Sequence, residues 1–153
     1  IARVGVSKQR LERIRALAAQ VSENDRPLIE APWFREKLAA TEIELKALEM
    51  TQLRVVAADA KRGNKGQPDP ASSILKIKGS QIQQATTDLL MDVVGPFALP
   101  FQEDEGDGSN EMPIGPEWAG PAAPTYFNWR KISIYGGSNE IQKNIIAKAI
   151  LGL

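Results

Sequence analysis

Between Pro32 and Arg62 the residues Phe34, Leu38, Thr41, Leu45, Leu48, Gln52 and Val55 follow one another at alternating steps of four and three. Those steps return a side chain to one face of a 3.6-residue helix, so this stretch reads as a long helix carrying a bundle-type seam. Beside the seam runs a second stripe of Ile43, Ala47, Met50, Arg54 and Ala57. Two stripes on one helix call for more than one packing neighbour. Pro32 suits the first helical position, where no N–H is needed.

The same period occurs on either side. Val4, Leu11, Ile14, Leu17, Ala18 and Val21 predict an amphipathic helix from Val4 to about Asn24, with Lys8, Arg10, Glu12, Arg13 and Arg15 mostly on its other side. Ser22-Glu23-Asn24-Asp25-Arg26-Pro27 breaks it. Gly63-Asn64-Lys65-Gly66-Gln67-Pro68 reads as a turn. Asp69 and Pro70 then read as N-cap and N1 of a third helix to about Val94, with Leu75, Gly79, Ile82, Thr86, Leu89 and Val93 on one face. Gly79 leaves room for a close neighbour, and Gly95-Pro96 stops the helix.

Residues 100–124 form the least regular segment. Glu103-Asp104-Glu105-Gly106-Asp107-Gly108 lacks the twelve-residue spacing and closing glutamate of an EF-hand calcium loop, so a solvated loop is expected. Met112, Ile114 and Trp118 are expected to anchor it. Pro121 to Ile134 predicts a fourth helix with Tyr126, Trp129 and Ile132 at three-residue spacing. Gly136-Gly137 interrupts it; beyond, Ile141, Ile145 and Ala149 are expected on the core, with Gly152 as C′ residue. No strand-like alternation of useful length and no solenoid repeat is present. The expectation is an all-α chain, an antiparallel up-and-down four-helix bundle whose last helix is interrupted at a Gly-Gly loop, in a single domain over 1–153. The helical pattern is already under way at Ile1, which reads as a piece of a longer protein.

Composition removes several chemistries. The 153 residues hold no histidine and no cysteine, which excludes a Ser-His triad, a His-ligated zinc site and a disulfide framework within this chain. Nineteen basic residues balance nineteen acidic ones, so nothing points to nucleic acid or an anionic membrane. No apolar run approaches the roughly 18 to 20 residues that span a bilayer. A cytoplasmic protein without a resident metal is expected.

The segment Ile134-Tyr135-Gly136-Gly137-Ser138-Asn139-Glu140 is a glycine loop feeding a helix start. Ser138 suits the N-cap, and Glu140 complements the positive end of the helix dipole. Two readings are open: a plain turn between helices, or a ledge whose free N–H groups meet a polar or anionic ligand.

The run Ile134-Tyr135-Gly136-Gly137-Ser138-Asn139-Glu140-Ile141-Gln142, continued by Asn144-Ile145-Ile146-Ala147-Lys148 and Leu151-Gly152-Leu153, resembles the C-terminal signature of the acyl-CoA dehydrogenase family. The resemblance implies a helical-bundle C-terminal domain whose loop lies against FAD, with Ser138 and Glu140 at the adenine end of a cofactor shared with a neighbouring subunit. Gly95 falls where relatives carry a glycine turn near FAD. Arg26 stands roughly where relatives carry an FAD-contacting arginine, although the Phe-Gly that follows it there is missing; a surface arginine capping a turn is the other reading. Tyr135 and Trp129 read as packing residues or as edges of the flavin and acyl pocket.

The parent activity implied is α,β-dehydrogenation of an acyl-CoA thioester, with an electron-accepting flavoprotein as partner and a homo-oligomer, dimer or tetramer, as the assembly. Some relatives carry the catalytic glutamate at the position of Gly136, which has no proton acceptor. Glu140 lies four residues beyond, about 6 Å of axial rise, and is expected to point to the adenine side. The base is therefore expected upstream of Ile1, with none here. Two alternatives accompany this reading: an acyl-CoA oxidase-like relative, and a non-catalytic helical interaction module that has lost flavin.

Overall fold

The seam of the second long helix is buried along its length: Phe34, Leu38, Thr41, Leu45, Leu48 and Val55 are all removed from solvent, and Gln52 is half-buried. The computed structural model describes residues 2–62, 69–101, 112 and 114–153. The predicted turn at Gly63–Pro68 and the acidic run from Glu103 lie outside the described residues. The described residues are all-α apart from one small hairpin. Its helices are α1 (Val4–Ala18), α2 (Pro32–Arg62), α3 (Ser72–Val94), α4 (Ala122–Trp129) and α5 (Asn139–Ile146), with single 3-10 turns between some of them.

Side-chain pairings give the directions. Lys8 pairs with Glu49, and Arg15 with Glu42 through two hydrogen bonds, so α2 runs antiparallel to α1. Lys37 meets Asp92 and Lys78 meets Glu44, so α3 reverses again. Exposed pairs of this kind are screened by water and contribute little; the stabilisation comes from the apolar face beneath them. Leu11, Ile14 and Leu17 of α1, the α2 seam, and Leu75, Ile82, Leu89 and Val93 of α3 form one core. All six residues expected on the inner face of α3 are buried. At Gly79 the fit is closest: a Cβ there would stand 2.9 Å from the backbone of Ala2, just ahead of α1.

α3 is the central helix, because its other side receives α4 and α5. Arg130, just past α4, donates from Nη2 to Thr87 Oγ1 (2.7 Å) and to the Gln84 carbonyl (3.2 Å), while Gln84 Nε2 donates to the Arg130 carbonyl (3.0 Å). Trp118 packs against both the main core and a smaller cluster of Val94, Ala119 and Ala122. It is the anchor of the long connection; Met112 and Ile114 are exposed.

Asp69 and Pro70, expected as N-cap and N1, lie ahead of α3, which opens at Ser72 with Ala71 as its N-cap. Three further expectations need correction. α1 ends at Ala18, short of Asn24, and the chain turns through a two-residue hairpin, β1 (Ser22–Glu23) with β2 (Arg26–Pro27). Asn24 and Asp25 both take positive φ, 51° and 63°, the backbone that a tight two-residue β-turn requires. Second, among the described residues nothing covers the second α2 stripe: Ile43 is 70% exposed and Met50 is exposed, with Leu53 and Val56 open beside them. Third, Ile141 (54% exposed), Ile145 (39%) and Ala149 do not face the core. α5 touches α3 through its polar start, which turns its apolar side outward.

Candidate functional site

The interruption of the last helical region is built from local rules. A 3-10 turn over Arg130–Ser133 ends the α4 region. Gly136 and Gly137 then take φ values of 67° and 86°, left-handed backbone that side-chain-bearing residues resist. The chain returns to extended geometry at Ser138, whose Oγ accepts from the Ile141 N–H at 3.4 Å as N-cap of α5. Gly152, at φ 70°, ends the following π-turn as the expected C-terminal glycine. A Cβ at Gly136 would meet no other atom within 4 Å, so this face of the loop is open to an approaching group. At Gly137 a Cβ would stand 2.6 Å from Gln142 Nε2.

Electrostatically the loop joins a helix start to a carboxylate. The Glu140 pKa is held below the ordinary carboxylate value first by a hydrogen bond from its own backbone N–H and then by Ser138, with Lys143 and Lys76 adding to the effect. Glu140 is therefore ionised and complements the α5 dipole. Gly136 itself carries no side-chain proton acceptor.

One residue absent from the sequence reading lies under this loop. Lys76 of α3 is buried, and its ammonium donates to the Ser133 carbonyl (3.0 Å) and to Asn139 Oδ1 (2.8 Å). Asn139 in turn donates from Nδ2 to Ser80 Oγ (3.1 Å). Burial lowers the Lys76 pKa and Glu140 opposes that shift. The available signal was a lysine next to Leu75 on the apolar flank of α3, with Ser80 one turn further on.

The structure gathers Tyr135, Gly136, Gly137, Ser138 and Glu140 at one place, with Tyr135 half-exposed. Trp129 packs under the guanidinium groups of Arg10 and Arg3, 4.0 and 5.8 Å from the ring centre. Gly95 ends α3 with φ 57° and donates its N–H to the Met91 carbonyl. It lies 19 residues beyond Lys76, roughly 28 Å along the helix axis. Arg26 is exposed in β2. α1 starts beside Gly79 and Ile14 shares a cavity with Thr86 and Leu90, so α1 runs along α3 and delivers the hairpin to the Gly95 end. The sequence-predicted cofactor residues therefore divide between two ends of the fold: Arg26 and Gly95 at one, Gly136 to Glu140 at the other.

Comparison with known proteins places this arrangement. The family described as acyl-CoA dehydrogenase, C-terminal domain, matches residues 1–151. The chain belongs to that family. Two relatives carry the name acyl-CoA dehydrogenase IpdE1. The protein from Mycobacterium tuberculosis is 30% identical over 148 residues, covering 97% of this chain and 32% of its own. The one from Mycolicibacterium smegmatis is 31% identical over 137 residues, covering 90% of this chain and 28% of its own. This chain thus spans about a third of the length of the relatives it matches. Among solved structures, the ChsE4-ChsE5 complex from Mycobacterium tuberculosis superposes with a TM-score of 0.74 at 22% identity, over 100% of this chain and 37% of that one. The FAD complex of PigA gives 0.71 at 17%, over 98% and 34%. At those identities the likeness establishes the shared fold. Among the described residues no helix is long and apolar enough to cross a membrane.

Proposed function

We propose that this chain is the C-terminal domain of an FAD-dependent acyl-CoA dehydrogenase, in which Gly136, Gly137, Ser138 and Glu140 receive the adenine half of FAD and the exposed apolar faces meet other parts of the assembly. The observation that carries the reading is the loop itself. Inside a chain of this family, two left-handed glycines lead into a capped helix start, with open space around Gly136. Backbone N–H groups there suit the polar edge of a dinucleotide. FAD when bound supplies the hydride acceptor for oxidation of an acyl-CoA thioester between its α- and β-carbons. This chain's residues bind and orient; Gly136 offers no base, and we assign the proton acceptor to another part of the whole protein.

The division of candidates between two ends of the fold suits a cofactor shared across subunits, with Arg26 and Gly95 facing a different flavin from the one at the loop. Tyr135 beside the loop is assigned to the pocket wall, and Trp129 to packing beneath Arg10. The uncovered stripe of α2 and the apolar side of α5 supply surface for a homo-oligomer and for the remainder of the subunit, since contiguous exposed apolar patches mark such contacts. Reoxidation by an electron-accepting flavoprotein and a cytoplasmic setting complete the proposal.

The intact protein is expected to purify yellow, with flavin absorbance bleached by a suitable acyl-CoA. A colourless protein that added FAD does not reconstitute would contradict the reading. Residues 1–153 alone are expected neither to hold FAD tightly nor to turn over, because the flavin ring and base are assigned elsewhere; stoichiometric tight binding by them would overturn that assignment.

A further inference from the structure

We infer that Lys76 is the positioning residue of the glycine loop: its ammonium ties the carbonyl in front of the loop to the side chain behind it, and so fixes the direction in which the Gly136–Ser138 backbone faces the cofactor. The inference rests on the FAD reading above and deepens it.

Three observations carry it. The two acceptors are Ser133, the last residue of the 3-10 turn, and Asn139, the first residue of α5. One nitrogen therefore grips both feet of the loop, at 3.0 and 2.8 Å, from 57 and 63 residues away in sequence. Between those feet stand the two positive-φ glycines, whose wide conformational freedom means the loop's shape has to be set from outside it. Finally, the grip is supported: Asn139 donates to Ser80, and Ser80 Oγ donates to the Ile77 carbonyl (2.7 Å), so the Asn139 amide is oriented by the same face of α3. An apolar residue would fill this buried place without the desolvation that a cation suffers there. What only the ammonium provides is two directional bonds to two separate segments.

The test uses the intact protein and four forms: wild type, Lys76→Met, Asn139→Leu and Asn139→Asp. Aspartate keeps an acceptor for the ammonium where leucine removes it. FAD affinity is measured by titration of the apoprotein, its thermal midpoint is recorded alongside, and hydrogen exchange is followed over residues 134–140. Loss of charge-assisted hydrogen bonds predicts FAD binding weaker by roughly 10- to 100-fold in Lys76→Met and Asn139→Leu. Faster exchange at Gly136–Ser138 accompanies it, and Asn139→Asp stays close to wild type. If Lys76→Met fails to fold, the two Asn139 variants carry the comparison. Variants that melt earlier yet bind FAD as wild type does, with unchanged exchange in the loop, would overturn the inference and leave Lys76 a packing residue. A wild-type protein that binds no FAD would remove the cofactor reading itself, a result distinguishable from failure of the clamp alone.

Discussion

Phe34→Ala is expected to cost the fold about 3–5 kcal/mol, the range for deleting a large buried aromatic and leaving its cavity. The side chain is fully buried at the start of the α2 seam and meets Trp33 edge-to-face with ring centres 5.7 Å apart. Its neighbours belong to helices fixed on several sides, so the site collapses poorly around a methyl group. For a unit of this size the loss corresponds to a fall of roughly 6–20 °C in the thermal midpoint. A urea midpoint shifted by the equivalent of less than about 0.5 kcal/mol, an ordinary surface effect, would show that the core does not lie where the α2 seam meets α1 and α3.

Gly136→Val is expected to weaken FAD binding by tenfold or more in the intact protein, on the scale where about 1.4 kcal/mol is a factor of ten. Valine at φ 67° carries a strain of about 1–3 kcal/mol, and the loop escapes it only by rotating the backbone proposed to meet the cofactor. Gly136→Asn separates conformation from bulk. Asparagine tolerates left-handed backbone, and a Cβ here has open space around it. Binding close to wild type in Gly136→Asn with loss in Gly136→Val is the expected pattern, read by flavin titration. Equal loss in both would assign the effect to side-chain bulk against the ligand and not to the backbone turn.

How far the sequence reveals this molecule depends on what each residue answers to. The α2 seam and the inner face of α3 are legible because burial along a helix repeats with the helix's own period, and the chain itself supplies the cover. Ser138 and Gly152 are legible because caps are decided within a few residues. The Asn24-Asp25 hairpin was not, since its strands are two residues long and carry no alternation to detect. Ile141 and Ile145 show the limit of periodicity: it reveals that α5 has an apolar side, and says nothing of whether this chain or another covers it. Lys76 was hidden for a related reason. Its role depends on Ser133 and Asn139 arriving above α3 from far along the chain, and no local pattern records that meeting.

The most direct measurement is a structure of the intact protein with FAD bound. The account predicts the backbone of Gly136 to Ser138 within hydrogen-bonding reach, about 3 Å, of polar atoms in the adenosine half of the cofactor, with Lys76 still joining Ser133 to Asn139 beneath. A loop standing free of the cofactor, with the adenosine half held by other segments, would contradict it.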